Sequence, residues 1–149
     1  MHLHLEGSTE LKVNPEAAYN RLTSLEVMTR SLPDAEDVKI IDNETAEATI
    51  KLRIALVSAR LRMKVKIWNK KPPSHAELSA EGSGTGSHVK IASTFDLAGS
   101  KGEPTTNLTW SADADITGIM AGIGSTMLRG FAEKRVAEIF DAIQIAVEK

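Results

Sequence analysis

The chain has 149 residues, enough for one domain with a sizeable core and no need of covalent staples. Hydrophobic residues make up 42% and charged residues 26%, which excludes a disordered chain; a formal charge of −2 gives no general affinity for nucleic acid. Cysteine is absent, which excludes disulfides, thiolate nucleophiles and cysteine-ligated metals and fits a cytoplasmic address.

The first residues, Met1 to Glu6, lack a basic stretch and a long apolar run, so no signal peptide is expected. No apolar run approaches the length of a transmembrane helix. Leu3, Leu5, Gly7, Leu11 and Val13 alternate with His2, His4, Glu6, Glu10 and Lys12, which predicts a half-buried strand. Asn14-Pro15-Glu16 then supplies an N-cap and a proline at the first helical position. A short helix to Thr23 and a second from Ser24 to Leu32 are expected, with Pro33 as the stop. Glu36 to Ile41 reads as a short strand.

The clearest alternation follows. Ala46, Ala48, Ile50, Leu52, Ile54 and Leu56 share one face, and Ala59, Leu61, Met63, Val65 and Ile67 continue it after a tight connection near Val57-Ser58. Two such runs predict an antiparallel hairpin. Lys70-Lys71-Pro72-Pro73 reads as a turn. Strands are expected again around Ala76–Gly84, Val89–Leu97 and Leu108–Ile116, separated by Gly82-Ser83-Gly84-Thr85-Gly86 and Gly99-Ser100-Lys101-Gly102. From Met120 the period becomes helical. Leu128, Ala132, Arg135, Ile139 and Ile143 lie near one line, and a helix from Ile123 to Val147 spans roughly 37 Å.

Clean alternation means one wet and one dry sheet face. Seven antiparallel strands need a cover for the dry face, and only the C-terminal helix is long enough. The expectation is one domain over residues 1–149: an α+β fold in which a curved antiparallel sheet wraps that helix, with two short helices after the first strand.

The inward positions of the sheet contain no carboxylate, histidine, lysine or arginine; Thr9, Ser93 and the Trp110 indole are their polar groups. Acid–base and nucleophilic catalysis need such groups in the cleft, so a non-catalytic role is expected. The inward positions are also rich in Gly and Ala, while aromatics are only 4% of the chain. Two readings follow: the small residues let the long helix sit close to the sheet, or they leave an apolar cavity for a ligand.

Other features carry less. His2 and His4 share a strand face but have no evident third metal ligand, so no metal site is expected. Asp113 and Asp115 lie two apart on the wet face. The Gly82–Gly86 run lacks the Lys-Ser/Thr of a phosphate loop. Lys51, Arg53, Arg60, Arg62, Lys64 and Lys66 form an outward basic stripe, which either pairs with Glu47, Glu77 and Glu81 or meets anionic lipid or an acidic partner. Ala55-Leu56-Val57 is apolar where a turn is normally polar: either the helix covers it or it is a rim.

Several segments together resemble a known family. They are Asn14-Pro15-Glu16-Ala17-Ala18-Tyr19, Ser31-Leu32-Pro33, Gly82-x-Gly84, Thr106-x-Leu108-x-Trp110, and Ile116-x-Gly118-Ile119-Met120-Ala121-Gly122-Ile123-Gly124. This pattern resembles the CoxG family, named for a carbon monoxide dehydrogenase component, of the START-like (SRPBCC) helix-grip superfamily. It departs from the family at Tyr19, usually Trp, and at Asp34 and near Ala55, usually Gly. The resemblance implies an apolar ligand pocket between sheet and helix. It also implies an accessory role beside a molybdenum-containing CO dehydrogenase, with membrane recruitment or quinone handling. With the chain ending at Lys149, the expected membrane contact is peripheral, at the inner face. The expected function is binding of an apolar or amphipathic molecule, quinone- or lipid-like, with no cofactor. Leu52, Ile54, Met63, Phe95, Trp110, Met120, Met127 and Phe131 are the expected lining, and Ser93, Thr9 or the Trp110 N–H would orient a polar end. A surface-acting assembly partner and a cyclase- or hydrolase-type enzyme are the alternatives.

Overall fold

The computed structural model describes residues 1–30, 34–99 and 102–145. The chain runs β1 (His2–Leu11), α1 (Pro15–Leu22), α2 (Leu25–Arg30), β2 (Ala35–Ile40), β3 (Thr45–Ile54), β4 (Val57–Lys71), β5 (His75–Gly84), β6 (Ser87–Ala98) and β7 (Thr106–Gly118), then a 3-10 turn (Ile119–Ile123) and α3 (Ser125–Ile145). The expected Ser31-Leu32-Pro33 stop, Ser100-Lys101 and Val147 fall outside the described residues.

The strands form one curved antiparallel sheet in the order β1-β7-β6-β5-β4-β3-β2. From β2 to β7 each strand pairs with the next, and β1 returns to the free edge of β7, with His2 opposite Asp115 and Leu11 opposite Thr106. Side-chain alternation is cleanest in β4, where Ala59, Leu61, Met63 and Ile67 are buried and the intervening Arg60, Arg62, Lys64 and Lys66 are exposed. Two strand ends differ from the sequence expectation. The β3–β4 connection is Ala55-Leu56, because Ile54 pairs with Val57. Lys70 and Lys71 extend β4, and the turn begins at Pro72, closed by the Ser74 N–H donating to the Lys71 carbonyl at 3.0 Å.

Asn14 caps α1 as expected, its Oδ1 accepting from the Ala17 N–H at 2.8 Å, with Pro15 at the first helical position. The Tyr19 hydroxyl donates to the His75 carbonyl at 3.1 Å and ties α1 to the start of β5. At the other end, Gly118 has φ +87°, a conformation costly for L side chains, and a Cβ there would stand 2.0 Å from the Gly86 carbonyl oxygen. That glycine lets the chain leave β7 and turn into the 3-10 segment. α3 therefore starts two residues later than the apolar period suggests.

The core is divided into two packed clusters. One joins α1 and α2 to the sheet through Leu11, Tyr19, Leu22, Leu25, Ile67, Phe95 and Leu108. The other lies at the opposite end and contains Leu3, Ile54, Leu61, Met63, Val89, Met120 and Leu128. α3 reaches both: Ile139 and Phe140 pack on the first, Leu128 and Phe131 belong with the second.

Candidate functional site

Between these clusters the sheet and α3 do not close. They enclose a cavity of about 370 Å³ bounded by β1, α2, β3 to β7, the 3-10 turn and α3. Its wall is almost wholly aliphatic. Ala46, Ala48, Ala80, Ala112, Ala114 and Ala132 contribute to it, which explains the empty volume: positions facing α3 carry one methyl group where a tight core would carry a branched chain. The aromatics that could have filled it lie elsewhere. Tyr19 and Phe95 pack together in the first cluster with ring centres 6.4 Å apart, and Trp110 packs edge-on against Phe140 at 6.1 Å. Phe131 is the one aromatic residue on the wall among the described residues.

Of the residues expected to line a pocket, Leu52, Ile54, Met63, Met120 and Phe131 stand together on this wall. The other four do not. Phe95 is 9% exposed and belongs to the cluster beneath α1. Trp110 lies opposite Gly7 in the β1–β7 register, and a Cβ on Gly7 would stand 3.0 Å from the indole nitrogen, so the ring lies over the glycine rather than over the cavity. Ser93 donates its hydroxyl to the Ser111 carbonyl at 2.9 Å. Met127, in the first turn of α3, is 48% exposed. Thr9 and Trp110 instead line a separate cleft of about 320 Å³ between β1 and α3, whose rim includes Glu6, Glu133 and Asp141.

An ion pair stands on the wall that the sheet pattern did not anticipate. Arg135 projects from α3, and its Nη2 lies 2.7 Å from the Asp34 carboxylate just before β2. Its Nη1 donates to both Glu138 oxygens at 2.9 and 3.2 Å, and the guanidinium carbon sits 4.7 Å from the centre of the Phe131 ring. The Arg135 Nε is buried with no hydrogen-bond partner. An unmatched buried donor costs about 1–3 kcal/mol, so this is a polar group with spare capacity beside an apolar space. The signal was present in the sequence, since Arg135 interrupts the apolar line Leu128, Ala132, Ile139. Of the other polar lining residues, the Thr29 hydroxyl donates to the Leu25 carbonyl at 2.7 Å and Glu47 pairs with Arg62 at 3.5 Å. Among the described lining residues no nucleophile is paired with a base.

Outside the cavity, two expectations meet. The β1–β7 register brings His2 and His4 onto Asp113 and Asp115. His2 Nδ1 lies 2.9 Å from Asp115, His2 Nε2 3.1 Å from Asp113, and His4 Nδ1 2.8 Å from Asp113. The Asp115 hydrogen bond raises the His2 pKa above its ordinary value, the Asp113 hydrogen bond raises that of His4, and the His4 hydrogen bond lowers that of Asp113. Among the described residues no His, Cys, Asp and Glu group is arranged to hold a metal ion. The basic stripe is partly neutralised, although mostly by other partners than expected. Lys51 and Arg60 share Glu36 at 3.2 Å each, while Glu77 and Glu81 pair with His75 and His88. No helix among the described residues is long and apolar enough to cross a membrane.

A seven-stranded antiparallel sheet curved around one long helix, with two short helices after the first strand, is the helix-grip architecture of START-like proteins. Residues 7–148 match the family model for CoxG, a carbon monoxide dehydrogenase component, and the chain belongs to that family. A conserved protein from Geobacillus kaustophilus is similar over 98% of this chain and 95% of its own, with 27% identity and a TM-score of 0.89. A START superfamily protein from Mycobacterium smegmatis shares the fold at 13% identity, a TM-score of 0.71 and coverage of 99% and 98%. So does the Zhui aromatase/cyclase from Streptomyces sp. R1128, at 12% identity, a TM-score of 0.67 and coverage of 99% and 94%. No curated protein matches the chain.

Proposed function

We propose that residues 1–149 act as one non-catalytic binding domain that holds an apolar or amphipathic small molecule, quinone- or lipid-like, between the sheet and α3. The observation that carries this reading is the cavity of about 370 Å³ with an aliphatic wall. That volume falls within the usual range of ligand sites, roughly 300–1,000 Å³. Leu52, Ile54, Met63, Met120 and Phe131 supply the apolar contact, at about 25 cal/mol for each Å² removed from water. Arg135, held by Asp34 and Glu138, takes the orienting role for the ligand's polar end that Ser93, Thr9 and Trp110 were expected to fill. Family membership supports an accessory role, and we place it in the cytoplasm beside a molybdenum-type CO dehydrogenase.

The purified protein is extracted with organic solvent and the extract examined by mass spectrometry; the stripped protein is then titrated calorimetrically with short-chain quinones and fatty acids. A stoichiometric apolar compound, or saturable binding of an added one, is the expected outcome. Neither appearing overturns the proposal.

The Asp34–Arg135 pair favours one second reading, an enzyme with this ion pair at the reacting end of the ligand. Asp34→Asn separates the two. A binding protein keeps its ligand within about a few-fold in affinity, whereas an enzyme loses turnover of the extracted compound while retaining it.

A further inference from the structure

One end of the molecule gathers exposed apolar side chains without acidic neighbours. Three chain segments meet there: residues 53–60 around the β3–β4 turn, residues 84–89 around the β5–β6 turn, and residues 117–130, which include the 3-10 turn and the start of α3. The Arg60 N–H donates to the Thr85 hydroxyl at 3.0 Å, the Ile119 N–H to the Gly86 carbonyl at 3.0 Å, and the Met120 N–H to the Ser87 hydroxyl at 3.0 Å. Ile54, Ala59, Met120 and Leu128 from these segments share one buried cluster. Their chain neighbours point the other way: Leu56 is 96% exposed, Ile119 56% and Met127 48%.

The charge around them is one-sided. None of the three segments contains Asp or Glu, yet they carry Arg53, Arg60, His88 and Arg129 in a chain whose net charge is −2. Arg60 is paired with Glu36 and His88 with Glu81, whereas among the described residues Arg53 and Arg129 make no ion pair. The Arg129 side chain donates to the His4 carbonyl, which holds it in place without neutralising it.

We propose that this end docks on a lipid bilayer bearing anionic headgroups. Leu56, Ile119 and Met127 enter the boundary between headgroups and acyl chains, and Arg53 and Arg129 meet phosphate. Apolar insertion and attraction to an anionic surface add in such contacts. A projecting leucine at a two-residue turn offers little concave surface to a folded partner but enters a fluid boundary freely. The buried neighbours Ile54, Met120 and Leu128 also line the cavity, so the docked end is the cavity's own end. The inference concerns a surface and stands whether or not the cavity holds a ligand.

Flotation of the full chain with vesicles tests it. One set contains phosphatidylcholine with about a third phosphatidylglycerol, the other phosphatidylcholine alone. Association with the anionic set is expected, weakening as salt screens the surface. Leu56→Asp is expected to weaken it about tenfold, the scale of withholding one leucine side chain from an apolar phase. Met127→Asp is expected to act in the same direction, and Arg53→Glu with Arg129→Glu to remove the salt dependence. Trp68→Asp, on the outer sheet face, is expected to change nothing. Unchanged thermal melting of Leu56→Asp establishes that the fold survives. Three outcomes overturn the proposal: no flotation with either set, flotation unaffected by Leu56→Asp, or light scattering showing that Leu56→Asp turns a dimer into a monomer, in which case a second copy covers this end.

Discussion

Asn14 shows how much one side chain settles locally. Its Oδ1 satisfies an otherwise orphaned helix N–H, and the proline after it removes another donor from the same turn. Asn14→Ala is expected to lower stability by about 1 kcal/mol, read from the midpoint of chemical denaturation, with the folded structure otherwise intact. Asn14-Pro15 is legible in the sequence because a cap is encoded within a few residues. Arg135 is visible there as an oddity on an apolar helix line, but its role is not. Its partner Asp34 lies far earlier in the chain, and nothing local connects them. Trp110 falls outside the cavity for a related reason. Parity correctly puts it on an inward position, yet the glycine opposite decides over which strand the indole lies.

At the level of elements, β1 is held at the sheet's rim by its ladder to β7 and by the His2, His4, Asp113, Asp115 contacts on the solvent side. The sign of the pH dependence follows. A histidine whose folded pKa is raised contributes stability fully below its unfolded value of 6.5 and loses it as pH rises through the folded value. Asp113, with a lowered pKa, contributes above its unfolded value of 3.8 and loses that as pH falls through the folded value. The window of mutual support is therefore mildly acidic. The difference in melting temperature between the parent and a His2→Gln, His4→Gln double variant is expected to be larger below pH 6.5 than in mildly alkaline solution. Equal differences at both would show that the contacts carry no proton linkage. In the sequence these four residues stand as two unconnected pairs. Register between the first and last strands joins them, and alternation gives faces but not register.

For the whole molecule, the order of strands and the covering helix follow from periodicity, because a period of two and a period of 3.6 are hard to confuse over long segments. The cavity is less legible. Counting Gly and Ala at inward positions leaves close packing and a hollow both open, and the outcome depends on where the few aromatics go. Tyr19, Phe95, Trp110 and Phe140 fill the ends and one side, leaving alanines in the middle. Enlarging those alanines tests the consequence. Ala48→Leu and Ala114→Leu extend into existing space, so neither is expected to cost more than about 1 kcal/mol. Each is expected to weaken binding of the extracted compound about tenfold or more in calorimetric titration. A large loss of stability instead would mean that the hollow is already occupied by mobile neighbours.

The pairing of β1 with β7 also sets the order in which the chain can become whole. Residue 2 meets residue 115, so the strand synthesised first waits for almost the entire polypeptide before it finds its partner. α3 comes later still. A nascent chain therefore carries an uncovered concave apolar face until its last helix emerges, and folding rates fall as contacts become more distant in sequence. The architecture that leaves room beneath α3 in the finished protein is the same one that makes its assembly a late, post-translational event in which chaperones have something to hold.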